Sequence, residues 1–403
     1  MNAGGAATPQ MMRRVNAHAA LAFLRSTEVA TGTDLMAATG LTRASVIAVC
    51  EDLLRRGWIS ELDSGREPGS LKAGSLKAGS LKPGSLKGRP ARRFELNPRA
   101  GFVVGIDIGA ATTTAVVADL RGTIVGKASR SFRSAEIPAR ERIDVVNQAC
   151  GEALAEAGTS PAAVLAVTAG LAAPVDRDGN VLLTKQFWRK FDVGLRTALA
   201  ERHGWTVLLE NDANLAALGE RWRGSGVGVN DLVVILASER MGAGIIESGR
   251  LLHGHSGAAG EMGYLDMIEG VGSADGIAYL AREWFARPGE PPTVEAREVF
   301  AAAAAGDPAA AAVMDRLAER VARVIASVAI MANPEQVVLG GAVADSVGVL
   351  LPGIVERLPR FTATVPRVTA SPLGDSIVTV GAVRHALDYV EAHALDLELP
   401  ARA

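Results

Sequence analysis

Ala17, Ala20, Leu21 and Leu24 recur at i, i+3, i+4 and i+7, the spacing that lines up side chains on one helical face, and predict a first helix after a loose Gly/Ala-rich arm over residues 1–10. Beyond the Thr31-Gly32 break, Thr33 is placed to cap a short second helix bearing Leu35 and Met36, which Gly40 ends. Thr42 caps a third helix with Val46, Val49, Cys50 and Leu53 on its inner face, ending at Gly57. Trp58–Leu62 and Arg93–Leu96 then read as a pair of strands. From Phe102 onward the texture changes to buried strands followed by Gly-rich turns. Apolar or β-branched runs stand at 102–109, 113–119, 164–167, 206–209, 232–236 and 336–339, several of them separated by Ala-rich helical stretches. The strand-turn-strand unit at 232–250 mirrors that at 102–125, so the pattern predicts an α/β body of two related halves around a cleft.

Between the first two strands, Gly-Ser-Leu-Lys recurs every five residues from Gly69 to Lys87, a period that suits neither helix nor strand. Its Gly/Ser content predicts a disordered tip over 66–88. The repeat is either an insertion without a role or a source of four lysines for nonspecific phosphate attraction.

Charge sharpens this organisation. Residues 1–100 hold 15 basic and 8 acidic residues, a net of +7, whereas the remaining 27 and 36 give −9. A basic head on an acidic body points to a polyanionic partner. Two helices joined by a Gly-containing turn, the second opening Thr-Arg-Ala-Ser, form a helix-turn-helix pattern, and the strand pair supplies a wing. Thr42, Arg43 and Ser45 are therefore candidates for base and phosphate contact in a major groove of double-stranded DNA. Arg89 is the candidate for a minor groove, with Arg92 beside it. A small helical domain for protein contacts is the competing reading of residues 11–96.

Composition removes other classes. With 48% hydrophobic residues the chain has enough apolar content to fold, and 403 residues exceed one ordinary core. No long uncharged apolar run and no basic-then-apolar leader is present, so a cytoplasmic protein with no membrane partner is expected. Cys50 and Cys150 stand alone and predict neither disulfides nor a Cys-rich metal site.

The body resembles the ROK family of bacterial repressors and sugar kinases. The similarity rests on Asp107-Ile108-Gly109-Ala110-Ala111, Glu210-Asn211-Asp212-Ala213-Asn214, the Gly-rich turn Ser238–Gly244, Ala259-Gly260-Glu261-Met262-Gly263-Tyr264 and Leu339-Gly340-Gly341, in that order. The resemblance implies a winged helix-turn-helix domain over 11–98 followed, over 99–403, by a two-lobed, actin-like (ribonuclease H-like) sensor. It also implies a homodimer or homotetramer.

Departures from the family pattern carry the functional expectation. Phosphate turns need glycines so that backbone N–H groups can approach oxygens, yet Ala110 and Ala111 replace the second Gly and the Thr of the first turn. In the second turn Glu239 brings a negative charge toward a triphosphate. Tyr264 stands where the family has a zinc-ligating His, and 265–275 contains no thiol, so no cofactor, zinc or kinase activity is expected; His253 and His255 read as surface or loop residues. What survives matches hydroxyl recognition. By resemblance Asn211 and Asp212 hold a sugar hydroxyl, with Asp212 the base in kinases, and Glu261 contacts neighbouring hydroxyls. Tyr264 and Asp275 complete the candidate ligand set. Helix capping is the competing role for Asn211 and Asp212. Gln186-Phe187-Trp188 and Leu171-Ala172-Ala173-Pro174 also depart from the family, and Trp188 either stacks on a sugar face or fills core. The expected function is a DNA-binding repressor whose body senses a sugar or related metabolite. A sugar kinase with a fused regulatory domain and a ligand-independent DNA-binding protein are the alternatives.

Overall fold

The computed structural model describes residues 8–62, 91–134, 137–182, 194–287, 289–341, 344 and 346–400. The Gly-Ser-Leu-Lys repeat, Arg89 and Trp188 lie outside the described residues. Two compact units are present: residues 1–102 with 119–123 and 388–403, and residues 103–118 with 124–387.

The first unit opens with α1 (Pro9–Ser26), capped by the Thr8 hydroxyl and burying Ala17, Ala20, Leu21 and Leu24, the face that the periodicity predicts. The second helix, α2 (Gly32–Thr39), starts two residues earlier than expected. Thr31, not Thr33, is its cap, because Asp34 falls three residues on and bonds back to the Thr31 N–H in a capping box. Gly40 closes α2 at φ 69°. α3 (Arg43–Arg55) buries Val46, Val49, Cys50 and Leu53. Strands β2 (Ile59–Leu62) and β3 (Arg93–Leu96) pair antiparallel, Ile59 opposite Leu96. A strand that the pattern does not reveal, β1 (Ala30–Thr31), adds to β3; two residues are too few to show a period.

Segments 119–123 and 388–403, which linear pattern assigns to the body, belong to this unit through charge-assisted bonds to α1. The Arg121 guanidinium donates to the carbonyls of Thr27 (2.6 Å) and Glu28 (3.2 Å), just past the α1 C-terminus where orphan carbonyls and the helix dipole favour a cation. Arg25 Nε meets Glu391 Oε1 at 2.9 Å and Arg14 meets Asp396 at 2.8 Å.

The second unit contains two five-stranded sheets of matching topology. One has order β6-β5-β4-β7-β8, from β4 (Phe102–Ile108), β5 (Thr112–Asp119), β6 (Ile124–Ser131), β7 (Val164–Leu171) and β8 (Val207–Asn211). The other repeats it as β11-β10-β9-β12-β13, from β9 (Leu232–Leu236), β10 (Gly242–Glu247), β11 (Arg250–Leu251), β12 (Gln336–Gly340) and β13 (Arg367–Ala370). In each, an antiparallel meander is extended by parallel strands. The doubling expected from the two strand-turn-strand units is therefore present in full connectivity. β7, β9 and β12 are almost continuously buried, as strands covered on both faces must be. The helix Pro308–Ala332 lays one apolar face against the second sheet.

Candidate functional site

The helix Asp212–Arg223 follows β8 directly, so the Asn211-Asp212 pair sits at the junction of a parallel strand and a helix N-terminus. Glycines fix that helix from two sides. A Cβ on Gly244 of β10 would lie 2.1 Å from the Ala213 carbonyl oxygen, and one on Gly381 of the last helix, Ile377–Ala392, 1.7 Å from that of Leu215. The backbones approach this closely only because no side chain intervenes.

Asn211 takes the helix-capping role. Its Oδ1 caps the helix, accepting from the N–H groups of Ala213 (3.0 Å) and Asn214 (3.1 Å), and its Nδ2 donates to the Ala173 carbonyl at 3.1 Å. Those bonds use the oxygen fully and leave one amide hydrogen for anything else. Asp212 Oδ1 accepts from the Ala213 N–H at 2.8 Å. Burial first, and then the charges of Asp107 and Glu261, push the Asp212 carboxyl up to about 7 against that bond. Asp107, near the end of β4, is likewise raised to about 7 by burial and by Asp375. Three carboxyls from separate elements thus share one locality. Asp107 is part of it although its motif had marked it only as part of a phosphate turn. Glu261 also has a local task, accepting from the Gly263 N–H within its own turn.

Behind Asp212 lies a pair that sequence reasoning missed. Glu210 is buried, and its carboxylate accepts from the Asn211 N–H (2.8 Å), Asn214 Nδ2 (2.9 Å) and His253 Nε2 (2.8 Å). Burial alone would raise this carboxyl; the bonds from His253 and Asn214 outweigh it and hold it below the usual range. His253 is therefore half-buried and ion-paired rather than a plain surface residue. The only available signal was a glutamate immediately preceding the Asn-Asp pair.

The second Gly-rich turn differs from expectation in its electrostatics. Glu239 forms a bidentate pair with Arg282 at 2.8 and 2.7 Å, so its charge is balanced by a residue 43 positions away and cannot act as an isolated repellent. Next to it Arg240 lies 3.6 Å from Asp275, whose other partner is the Ser273 hydroxyl. The largest charge effects on Asp212 come from Asp107 and Glu261, while Asp275 lies beside Arg240. In the first turn Ala110 and Ala111 are exposed, and Arg142 reaches the Gly109 carbonyl at 3.4 Å.

Tyr264 is 54% exposed at the head of the short 3-10 turn Leu265–Met267. The stretch after it is held by arginines of the helix Pro308–Ala332. Buried Arg320 donates to the carbonyls of Val271 (2.7 Å) and Ser273 (2.5 Å), and Arg323 to that of Glu269 (3.3 Å). A buried guanidinium here opposes a second cation, and phenol and carbonyl groups are poor zinc donors, so this loop does not fit a zinc ion.

In the head, the Thr42 hydroxyl caps α3, accepting from the Ser45 N–H at 3.3 Å, and shares a 3.0 Å bond with the Ser45 hydroxyl. Both candidates thus serve α3 itself. Arg43 stands exposed at its first position. Arg92 lies on the surface but is clamped bidentately by Glu61, both bonds at 2.8 Å, and packs over Phe94. No helix among the described residues is long and apolar enough to cross a membrane.

With this geometry in view, relatives of two kinds emerge. A glucokinase of Halalkalibacterium halodurans is 35% identical over 205 residues, covering 45% of this chain and 61% of that enzyme. The xylose repressor of Bacillus subtilis is 26% identical over 230 residues, covering 56% of this chain and 54% of the repressor, so the chain spans between half and two thirds of the length of each. Among solved structures, a ROK family transcriptional regulator described as a homolog of the E. coli MLC protein matches 95% of this chain and 98% of its own with a TM-score of 0.76 at 20% identity, a likeness of fold. The model of the ROK family matches residues 103–388, well over half of the chain, and the chain belongs to the ROK family.

Proposed function

We propose that the chain is a DNA-binding transcriptional repressor whose first unit is a winged helix-turn-helix and whose ROK body senses a sugar or a related polyhydroxylated metabolite without phosphorylating it. The reading rests on selective retention. Carboxyls suited to hydroxyl donors gather at Asp212, whereas the first phosphate turn has lost its second glycine and its hydroxyl to Ala110 and Ala111 and the second is tied up in the Glu239–Arg282 and Arg240–Asp275 pairs. The full-length fold likeness to a ROK transcriptional regulator supports the DNA-binding half. Ligand binding changes operator affinity to the extent that it favours one conformation of the body, a coupling of typically about 1–3 kcal/mol. A homodimer or homotetramer on an operator accords with this role.

One observation favours the kinase alternative: a carboxyl at about 7 is poised as a general base. An ATP-dependent phosphorylation assay over the sugars that bind decides it; turnover would overturn the repressor-only reading.

DNA recognition is tested by selecting bound sequences from a random duplex library and repeating the selection with Arg43→Ala. The substitution is expected to cost about 1–3 kcal/mol and to relax preference at one base position, the signature of a base-edge contact. Equal affinity and an unchanged motif would remove α3 from the interface.

Sugar hydroxyls donating to Asp212 stabilise its ionised form and lower its pKa from about 7. Ligand binding at neutral pH is therefore expected to release a fraction of a proton, seen as a calorimetric enthalpy that varies with the ionisation enthalpy of the buffer. A buffer-independent enthalpy would place the ligand away from Asp212.

A further inference from the structure

We propose that His253 is a positioning residue for the sugar site: by bonding Glu210 it ties the 252–263 turn, which carries Glu261, to the strand-helix junction that carries Asn211 and Asp212. This rests on the reading that the Asp212 locality holds a polyhydroxylated ligand. The two parts of that site come from segments some fifty residues apart in sequence, β8 and the turn after β11, and the 2.8 Å bond from His253 Nε2 to Glu210 Oε2 spans them.

Glu210 is built for the task. Its Oε1 takes the Asn211 N–H and Asn214 Nδ2, gripping the junction, while Oε2 is taken by His253. A buried carboxylate that loses a donor keeps the full cost of desolvation, so the junction and the turn are held against each other. At the far end of the bond, the His253 carbonyl accepts the Ala259 N–H at 3.2 Å, which closes the turn, and Gly254, Gly257 and Gly260 supply its positive φ angles. A Cβ on Gly257 would lie 2.1 Å from the Val175 carbonyl and one on Gly260 2.0 Å from that of Ala243. The turn is thus seated closely, and its path leads directly to Glu261.

The charged groups facing His253 are Glu210 from β8, which raises its pKa through the hydrogen bond, and Arg177 from the loop after β7, which opposes that rise. With the folded value raised, the ionic part of the bond is fully present below the ordinary histidine pKa and is lost as pH rises through the folded one. Neutral His253 can still donate from Nε2, so the tie weakens rather than breaks.

The experiment compares wild type, His253→Ala and His253→Gln by hydrogen exchange of residues 252–263 in the sugar-free protein, and by calorimetry with D-glucose and D-xylose from pH 5.5 to 8.5. Alanine is expected to speed exchange across the turn at least about tenfold, and to weaken whichever sugar binds wild type by a similar factor. Glutamine, which keeps a donor without a charge, is expected to restore both to within about threefold. Unchanged turn exchange in His253→Ala overturns the proposal. Weaker sugar binding without a change in turn exchange also overturns it, because His253 would then touch the ligand itself. If neither sugar binds wild type, the sugar reading of these two probes fails, while the exchange result still decides whether His253 holds the turn.

Discussion

Replacing Gly381 with valine lowers the melting temperature of the protein by about 6–12 °C or prevents its accumulation as a folded species. The Gly381 Cα faces the helix Asp212–Arg223 so closely that even a Cβ would sit 1.7 Å from the Leu215 carbonyl oxygen, and Gly219 returns the contact with a Cβ position 2.6 Å from the Ile377 carbonyl. The obstruction is backbone and cannot rotate away, so the helices must separate. Overpacking costs typically about 1–3 kcal/mol, and a backbone obstruction belongs at the upper end; at about 2–4 °C per kcal/mol this gives the stated shift. Gly151, in the exposed middle of the helix Ala139–Glu156, is the control. Nothing lies within 4 Å of its Cβ position. Gly151→Ala is expected to be neutral or to stabilise by roughly 0.5–1 kcal/mol through helix propensity. Differential scanning calorimetry of the two variants checks the pair, and equal melting temperatures would contradict the close helix contact that positions Asp212.

Arg25→Met loosens α1 of the head, raising hydrogen exchange of its central amides by about 100-fold. The Arg25 and Glu391 side chains are only 10% and 6% exposed, and their 2.9 Å contact joins α1 to the 388–403 segment. Removing one member of a buried pair costs about 3–5 kcal/mol because the other charge stays desolvated; His18, 4.0 Å from the same carboxylate, offsets part of that loss when protonated. The double variant Arg25→Met, Glu391→Leu is expected to recover most of the protection, since an apolar pair of similar volume carries no desolvation cost. Exchange rates in Arg25→Met within threefold of wild type would show that the pair contributes little.

Much of this architecture was legible in the chain. The inner faces of α1 and α3 were fixed by spacing, and β9 by an uninterrupted apolar run. Features that escaped had physical reasons to do so. Thr31 and Thr33 are equally good caps by type, and only the Asp34 bond to Thr31 separates them. β1 is two residues long. Segments 119–123 and 388–403 join the head through Arg121, Glu391 and Asp396, contacts that no local period announces. In the candidate site, motif order singled out Asn211, Asp212 and Glu261. The partners that set their chemistry are distant in sequence: Asp107 beside Asp212, His253 on Glu210, Arg282 on Glu239. Charge at a position was therefore readable, whereas its neutralisation was not.

The central claim is that the Asp212 locality binds a polyhydroxylated ligand. Calorimetric titration of wild type and Asp212→Ala with neutral sugars, sugar phosphates and amino sugars tests it most directly. The account predicts that at least one class binds wild type and that Asp212→Ala weakens it by about 1–3 kcal/mol, the cost of leaving a ligand hydroxyl without its acceptor. No binding to wild type by any class, or equal binding to both proteins, would contradict it and leave the body as a ligand-independent scaffold for the head and its proposed DNA binding.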